Sequence, residues 1–361
     1  MHILIVFGTR PECIKLAPVI RELNYHGIIT KVCVTSQHRE MLRPFIEFFQ
    51  IKIDYDLNIM RPDQDLYYIT TEVLNKLSDV LKQDKPKLVI VQGDTTTAFA
   101  AALAAFYEKI PIAHVEAGLR TYQKYSPFPE EINRRLIDHI SDFLFAPTKI
   151  SERNLLNEGI PKEKVFTTGN TVVDTLHMIL KDHRFKNIKP PIKPSNGNRV
   201  ILVTSHRREN FGYRIENICY ALRKVVEKYK NIEIVFPVHL NPNVRNPVKQ
   251  LLNGVERVHL IEPVSYLELL KLIQISDLIL TDSGGIQEEA PTFRKPVLVL
   301  RNFTERPEGV KVGVAKLVGS NVEKILNEID KIVKGKGFKD KVIHNPYGDG
   351  KASKRIARII K

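Results

Sequence analysis

The sequence predicts an α/β protein of two domains, each built on a parallel β-sheet. Short apolar runs alternate along the chain with longer amphipathic segments, which is typical of parallel strands covered by helices on both faces. The chain has 361 residues, of which 43% are hydrophobic, and this length favours two domains over one. A basic, proline-rich stretch at residues 182–198 interrupts the alternation, which then resumes.

The first domain is expected over residues 1–180. Its strands are predicted at Ile3–Phe7, Lys31–Thr35, Leu88–Val91, Ile112–Val115, Phe143–Ala146 and Val165–Thr168. Helical periodicity lies between them, near Pro11–Tyr25, Arg39–Phe49, Leu66–Gln83, Thr96–Glu108 and Glu131–Ser141. Pro11 falls in the first turn of its helix, where proline is tolerated.

Residues 181–199 have the composition of a linker, and the second domain is expected over residues 200–350. Its strands are predicted at Val200–Thr204, Ile232–Phe236, Val258–Ile261, Leu278–Thr281 and Pro296–Leu300. Its helices are predicted near Arg214–Tyr229, Tyr266–Ile275, Gly285–Ala290 and Val322–Val333. The last segment, 351–361, places Ala352, Ile356, Ile359 and Ile360 on one helical face, and we expect it to pack back on the first domain.

The positive charge of the chain is concentrated in two segments. The net charge is +14, of which +8 lies in residues 331–361 and +5 in the linker. Such runs usually mark exposed segments, so no nucleic-acid partner is expected. No apolar run approaches the ~20 residues of a membrane span, and no signal peptide is recognised. The three cysteines are widely spaced and imply neither a disulfide framework nor a zinc site, so a cytoplasmic location is expected.

Polar motifs follow the predicted strands at the points where the strands end. Ligands of open α/β sheets bind at the carboxyl ends of the strands. Gly8-Thr9-Arg10-Pro11-Glu12 offers close backbone approach and an arginine for a phosphate or carboxylate, with Lys15 one turn later. The alternative is a tight turn with a surface arginine. No GxGxxG motif is present, so no nicotinamide or flavin cofactor is indicated.

Carboxylates occupy the next loops of the first domain. Asp94 is either a carboxylate of the site or only the N-cap of the following helix. Glu116 follows a parallel strand and is poorly suited to a core, although it could form an ion pair with Arg120. Glu130 and Glu131 open a helix, where the dipole alone favours negative charge. If Asp94, Glu116 and Glu130 converge, they would push one another's proton affinities apart. One site would then hold both an acid and a base.

The second domain carries the signals for a phosphate. Asp282-Ser283-Gly284-Gly285 opens a helix whose free N–H groups can bind an anion. Glu289 lies one turn along and could accept the hydroxyl protons of a ribose, with Arg306 as a further candidate near the same ligand. His206 follows a strand and could orient or protonate a diphosphate leaving group, although a basic surface loop is the alternative. His239 occupies a similar position.

Together these motifs resemble those of the non-hydrolysing UDP-N-acetylglucosamine 2-epimerases, from Gly8-Thr9-Arg10-Pro11-Glu12 to His344-Asn345-Pro346-Tyr347-Gly348-Asp349-Gly350. The resemblance implies a glycosyltransferase-B-like fold of two Rossmann-like domains facing a central cleft, forming a homodimer without metal or nicotinamide cofactor. It implies reversible conversion of UDP-GlcNAc to UDP-ManNAc by elimination of UDP to 2-acetamidoglucal and re-addition, supplying ManNAc units for surface polysaccharide or glycan. Closure of the domains over the substrate is expected, because the glycal must be retained.

The resemblance also implies roles for single residues. The catalytic groups would be Asp94, Glu116, Glu130 and His206, without an indication of which carboxylate removes the C2 proton. The UDP-sugar would be bound by Arg10, Lys15, Asp94, Glu116, His206, Ser283, Gly284, Gly285, Glu289 and Arg306. A second UDP-GlcNAc, acting as an activator, would lie near Gln37, His38, Arg207 and His239. Val264 and Leu269 replace the glutamine and phenylalanine that the family often places near the uracil, so uridine recognition is expected to be rearranged.

Three other functions stay open at this point. One is a hydrolysing relative that releases free ManNAc and UDP. Another is a glycosyltransferase of the same fold, which would require an acceptor, although clustered acids fit proton transfer at C2 better than group transfer. The third is nucleic-acid binding through the basic tail, which would need affinity that survives moderate salt.

Overall fold

The computed structural model describes residues 2–37, 39–195, 197–335 and 345–361. The chain divides into two compact units, Met1–Met178 with Tyr347–Lys361, and Ile179–Pro346. Each unit contains one parallel sheet with helices between its strands, so the predicted α/β class is confirmed. Within the residues just given, we find no helix with the length and apolar composition of a membrane span.

The strands of the first unit are His2–Phe7 (β1), Ile29–Val34 (β2), Tyr55–Asp56 (β3), Leu88–Gln92 (β4), Ile112–Val115 (β5), Phe143–Ala146 (β6) and Val165–Thr167 (β7). They are parallel and lie in the order β3-β2-β1-β4-β5-β6-β7. The strand order reverses between β1 and β4, which makes this edge the topological switch point where α/β sheets bind ligands.

The helices that cover this sheet are Arg10–Tyr25 (α1), Arg39–Phe49 (α2), Leu66–Asp84 (α3), Thr96–Tyr107 (α4), Glu130–Ile140 (α5), Lys149–Asn157 (α6) and Thr171–Lys181 (α7), the last of which extends past the unit boundary. The short β3 and the helices α6 and α7 have no counterpart among the predicted elements. Helix α4 buries six alanines, which lets it pack closely within the core.

The strands of the second unit are Arg199–Thr204 (β8), Ile232–Pro237 (β9), Val258–Ile261 (β10), Leu278–Thr281 (β11), Val297–Val299 (β12) and Ala315–Leu317 (β13). Their order is β10-β9-β8-β11-β12-β13, again all parallel, and the switch point lies between β8 and β11. The loops after β8 and β11, which carry His206 and Ser283, therefore leave neighbouring strands at the position where a ligand is expected.

The helices of the second unit are His183–Asn187 (α8), Tyr213–Lys228 (α9), Pro242–Leu252 (α10), Tyr266–Ile275 (α11), Gly284–Glu289 (α12), Pro307–Lys311 (α13) and Val322–Val333 (α14). Helix α10 was not predicted, because it contains two prolines, one at its first position and one inside the helix. The stretch expected to be a linker contains α8, whose Phe185 is buried.

The C-terminal helix Ala352–Ile360 (α15) is part of the first unit and packs on α1. The buried carboxylate of Asp174 accepts the backbone N–H groups of Ala352 at 3.1 Å and Ser353 at 2.8 Å, which fixes the start of the helix. Residues 347–350, assigned to the second domain from the sequence, also lie in the first unit, where Tyr347 O accepts the N–H of Asn170 at 2.7 Å. His344, in the last of the motifs, lies outside the described residues.

Candidate active site

Three motif loops of the first unit leave adjacent strands of its sheet. Strand β4 lies between β1 and β5, and its register pairs Gln92 with Val115. Just beyond the strands, the N–H of Gly93 donates to Val115 O at 3.0 Å. The loops that carry Arg10, Asp94 and Glu116 are thus neighbours at the switch point.

Glu116 has a strained backbone and a fixed side chain. Its φ is +74°, a left-handed conformation that is rare for a residue with a side chain and that clusters at functional sites. Its N–H and that of Ala117 both donate to Phe145 O at 3.1 Å. Its carboxylate pairs with Lys15 and accepts Gln92 Nε2 at 3.0 Å. Lys15 is buried with it, so a cation stabilises this carboxylate in its ionised form.

A buried network of charges lies beside this loop. Arg120 pairs with Asp138 at 2.8 Å and Glu158 at 2.7 Å, rather than with the glutamate of its own loop. His114 joins Asp138 at 2.7 Å through Nδ1 and Gly93 O at 2.7 Å through Nε2. Burial opposes ionisation of Asp138, but the charges of His114 and Arg120 hold its pKa below the ordinary value. The His114 ring thus ties the carboxylate of Asp138 to the carbonyl that precedes Asp94.

Asp94 is held by an arginine. Arg134 donates to its Oδ2 through Nε at 3.0 Å and Nη2 at 2.5 Å, and Asn133 Nδ2 donates to its backbone oxygen at 3.0 Å. The N-cap of α4 is Thr95, whose Oγ1 accepts the N–H of Ala98 at 3.0 Å. The interpretation of Asp94 as only an N-cap is therefore wrong.

The two glutamates at the start of α5 have different surroundings. Glu131 is buried and accepts the N–H groups of Thr121 at 3.0 Å and Tyr122 at 2.9 Å, together with Arg134 Nη1 at 3.1 Å. Its role is to fold the preceding loop. Glu130, the first residue of the helix, is half-buried and is the member of the pair that stays a catalytic candidate.

Glu12 is a further residue of this edge, which the motif contained but to which no role was assigned. Its Oε2 accepts the N–H groups of Gly8 at 3.0 Å and Thr9 at 2.7 Å, and its Oε1 accepts Thr95 Oγ1 at 2.6 Å. Burial raises the pKa of this carboxyl group. A glutamate three residues after a threonine at a helix start is the signal that could have revealed it. Gly8 is required here, because a Cβ would lie 2.0 Å from Thr35 Oγ1.

The other predicted residues of the first unit lie around the same strand ends. Arg10 is half-buried and begins α1. Gln37 accepts Thr97 Oγ1 at 2.8 Å through its side chain and Gln64 Nε2 at 3.0 Å through its backbone oxygen. His38 lies outside the described residues.

In the second unit, one buried carboxylate organises the loop after β8. Oδ2 of Asp282 accepts Ser205 Oγ at 2.8 Å, the N–H groups of His206 and Arg207 at 3.0 Å, and Asn210 Nδ2 at 2.9 Å. The exposed side chain of His206 approaches the same carboxylate, with Nδ1 3.3 Å from Oδ1.

An arginine-rich cluster lies beside the glycines of α12. Arg306 pairs through Nε with Glu288 at 2.8 Å and through Nη1 with Glu305 at 2.5 Å, and Arg301 pairs with Glu305 at 2.8 Å. Burial opposes ionisation of Glu305, but the two guanidinium groups hold its pKa well below the ordinary range. A Cβ on Gly284 would lie 2.7 Å from Arg306 Nη1, so only glycine lets the guanidinium lie against the helix start.

Glu289 and Ser283 are fixed by neighbours that the motif did not reveal. Tyr266, buried at the start of α11, donates to Glu289 Oε1 at 2.8 Å. Gln287 Nε2 donates to Ser283 O at 3.2 Å, and Gln287 Oε1 accepts Thr304 Oγ1 at 2.8 Å. The carboxylate expected at a ribose is therefore held in place by Tyr266.

Of the residues predicted for an activator in this unit, His239 lies near His206 and Arg207 lies near Glu305. The rings of His206 and His239 have centroids 6.0 Å apart, and His239 Nδ1 accepts the N–H of Asn241 at 3.1 Å. Arg207 Nη2 lies 3.7 Å from Glu305. Gly285 is half-buried in α12. Over the described ranges, no group of three or more His, Cys, Asp or Glu side chains could hold a metal ion.

These features define an α/β protein with several carboxylates at the switch point of one parallel sheet and a glycine- and arginine-rich helix start at that of another. The family model described as UDP-N-acetylglucosamine 2-epimerase matches residues 21–361. The chain belongs to this family.

Known proteins agree in sequence and in structure. A UDP-N-acetylglucosamine 2-epimerase from Neisseria meningitidis serogroup A is 52% identical, over 100% of this chain and 99% of its own. The crystal structure of UDP-GlcNAc 2-epimerase from Neisseria meningitidis bound to UDP-GlcNAc has a TM-score of 0.92 at 51% identity, covering 100% of this chain and 99% of that one. The Methanocaldococcus jannaschii UDP-GlcNAc 2-epimerase in complex with UDP-GlcNAc and UDP has a TM-score of 0.83 at 39% identity, covering 100% and 99%.

A more distant neighbour shares the fold alone. The glycotransferase of kitacinnamycin has a TM-score of 0.65 at 12% identity, covering 99% of this chain and 98% of that one. The predicted glycosyltransferase-B-like fold of two parallel-sheet domains is confirmed.

Proposed function

We propose that the chain interconverts UDP-GlcNAc and UDP-ManNAc by eliminating UDP to 2-acetamidoglucal and adding it back. The observation that carries the proposal is the state of Glu116: a carboxylate in a left-handed backbone conformation, buried with Lys15 at a sheet's switch point, one loop from Asp94. Strain of this kind persists only where surrounding contacts over-determine it, and it clusters at active sites. Similarity to an epimerase bound to UDP-GlcNAc supports the choice of substrate.

The reaction needs proton transfer on both faces of the sugar. A base takes the C2 proton, the C2–H electrons form the C1=C2 bond, and the C1–O bond breaks with its electrons on UDP. Re-addition delivers a proton to C2 from the opposite face. Inversion therefore needs two groups of different protonation state at C2, which several carboxylates in distinct surroundings can supply.

The carboxylates of the first unit have such distinct surroundings. Glu116 is paired with a lysine, Asp94 with an arginine, and Glu130 begins a helix. We assign proton transfer at C2 to these three residues. The variant Glu116→Gln described below tests whether Glu116 takes part in this proton transfer.

The second unit is assigned the nucleotide. Ser283, Gly284 and Gly285 begin α12 against the guanidinium group of Arg306, an arrangement suited to the diphosphate. Glu289, oriented by Tyr266, would accept the ribose hydroxyl protons. His206 would protonate the leaving phosphate oxygen, and Arg10 and Lys15 would add positive charge from the first unit. Val264 and Leu269 would rearrange uracil recognition.

The remaining expectations are proposals that depend on this activity. A second UDP-GlcNAc near Arg207 and His239 would activate the enzyme. A homodimer, a cytoplasmic location and the supply of ManNAc units for surface polysaccharide or glycan stay predictions, as does closure of the domains.

The experiment that tests the function is chromatographic analysis of the purified protein with either UDP-sugar and no acceptor. The same mixture of UDP-GlcNAc and UDP-ManNAc should form from both directions, without free ManNAc. Accumulation of free ManNAc and UDP would indicate a hydrolase instead. Consumption only after an acceptor is added would indicate a transferase.

A further inference from the structure

Asp282 occupies a position in the second unit where several hydrogen-bond donors converge on one oxygen atom. Its side chain is fully buried at the end of β11, beside the end of β8. The four donors on Oδ2 described above are two backbone N–H groups, a hydroxyl and an amide. Buried N–H and O–H groups that all point at one atom need an acceptor oxygen there, which this carboxylate supplies.

This carboxylate shapes the loop that carries His206. Because the loop donates to Asp282 from Ser205, from two successive backbone groups and from Asn210, it folds around one atom. Asn210 Nδ2 also donates to Leu300 O at 3.1 Å, which ties the loop to the end of β12. Asp282 therefore fixes the backbone position of His206 independently of its contact with the imidazole ring.

The second carboxylate oxygen faces the ring itself. Oδ1 lies 3.3 Å from Nδ1 of His206 and also accepts the backbone N–H of that residue at 3.2 Å. A carboxylate can only accept, so Nδ1 carries a proton when the two groups interact, and the lone pair of the neutral ring is on Nε2. A partner on one ring nitrogen is the usual way in which a protein selects the tautomer that the other nitrogen presents.

We propose that Asp282 is a positioning residue that holds His206 in the orientation and tautomer in which Nε2 exchanges a proton with the leaving diphosphate. The inference rests on the proposed function. In the forward direction the imidazolium gives its Nε2 proton to the UDP oxygen as the C1–O bond breaks, and the electron pair of that bond stays on the oxygen. In the reverse direction neutral Nε2 takes the proton back as the oxygen attacks C1. Asp282 touches neither the sugar nor the phosphate in this scheme.

The variant Asp282→Asn distinguishes the role of Oδ1 from that of Oδ2. Its amide oxygen can replace Oδ2 and keep the four donors, while its NH₂ group replaces Oδ1 and faces Nδ1. The ring nitrogen must then accept, and the proton moves to Nε2. We expect kcat to fall at least about 100-fold, as when a catalytic histidine loses its orienting aspartate, with the Kd for UDP changed less than about threefold.

A spectroscopic readout checks the cause directly. In protein labelled with ¹⁵N-histidine, the neutral ring of His206 should show a protonated Nδ1, and in Asp282→Asn it should show a protonated Nε2. A protonated Nε2 in the unchanged protein would overturn the proposal. This measurement needs no turnover, so it tests the positioning of the ring even if the epimerase function fails.

Ser205→Ala is the matched control. It removes one donor from Oδ2 and leaves the contact between Oδ1 and Nδ1 in place. We expect an unchanged tautomer and kcat within about threefold. A loss of kcat as large as that of Asp282→Asn would mean that loop folding, rather than the ring, is responsible, and would overturn the proposal.

A double variant tests whether the aspartate acts through the histidine. If it does, Asp282→Asn adds little to the loss already caused by His206→Ala, because residues that act as a unit are strongly non-additive. A loss in the double variant equal to the product of the single losses would show that Asp282 acts independently, and would contradict the inference.

Discussion

The two switch points are charged in opposite ways. In the first unit two of the candidate carboxylates pair with a cation: Glu116 with Lys15, and Asp94 with Arg134, which also pairs with Glu131. In the second unit arginines gather around shared carboxylates, as with Glu305. One edge thus presents carboxylates paired with basic side chains, and the other presents arginines held in place by buried glutamates.

The difference matches two tasks in one reaction. Proton transfer at carbon needs carboxylates in different surroundings, and Glu116 and Asp94 have different cationic partners. A diphosphate needs a preorganised positive surface, and the buried glutamates that pair with Arg301 and Arg306 hold these arginines in place. In the proposed function the same edge of the fold serves two tasks, which the side chains of each unit determine.

Glu116→Gln is expected to have the largest effect on the acid edge. It keeps the shape of the side chain but removes the proton acceptor, so turnover should fall by about 10³-fold or more, within the range for general acid–base groups. UDP binding, measured by calorimetry, should stay within about threefold. Glu47→Gln, which changes an exposed glutamate of α2, is the control. Retained turnover would exclude Glu116 as a proton-transfer group.

Lys15→Met tests whether this carboxylate depends on its cation. The substitution leaves a buried charge without its lysine, which should cost on the order of 3 kcal/mol in unfolding free energy. Adding Glu116→Gln removes that charge and should restore more than half of the loss. Both are measured by denaturant unfolding. A double variant less stable than Lys15→Met would show that the ion pair does not govern stability here.

Arg306→Lys tests the opposite edge. Lysine keeps the charge but not the planar guanidinium that reaches Glu288, Glu305 and the ligand, so affinity for UDP should fall by about tenfold. The exposed Arg223→Lys on α9 should bind as the unchanged protein does. Equal affinities would remove Arg306 from the diphosphate site.

Glu12→Gln is expected to have the smallest effect, and its sign depends on pH. Because burial raises the pKa of Glu12, the folded state binds this proton more tightly than the unfolded state. Stability from the protonated carboxyl is fully present below the ordinary pKa of glutamic acid and is lost as the pH rises through the raised value. Glutamine has no proton to lose, so the melting temperature of the variant relative to the unchanged protein should rise across this window. A relative fall would contradict the raised pKa.

Much of the fold followed from periodicity, because strands with continuous apolar runs and helices with one apolar face have strong patterns. Helix α10 was not predicted because its prolines are typical of a loop. Strand β3 was not predicted because two residues are too few to show a hydrophobic periodicity. The positions of the site loops were predictable for the same reason, since a strand's end marks the ligand edge.

The partners of the site residues were not predictable. Arg134 reaches Asp94 across 40 positions, and Lys15 reaches Glu116 across 101. No local sequence pattern indicates a contact between residues so far apart in the chain. The sequence was therefore also compatible with Asp94 as an N-cap and with an ion pair between Glu116 and Arg120. The sequence does not distinguish the roles of Glu130 and Glu131. Only the contacts with the preceding loop show that Glu131 has a structural role.

Proton exchange at C2 of the sugar shows whether the chain removes and replaces the C2 proton, as the proposed function requires. The purified protein is incubated with UDP-GlcNAc in D₂O and followed by proton NMR, with no acceptor added. We expect UDP-ManNAc to appear with deuterium at C2, because one carboxylate removes the proton and another delivers a deuteron that comes from the solvent. UDP-ManNAc that keeps its original C2 proton, or free ManNAc and UDP in its place, would contradict it.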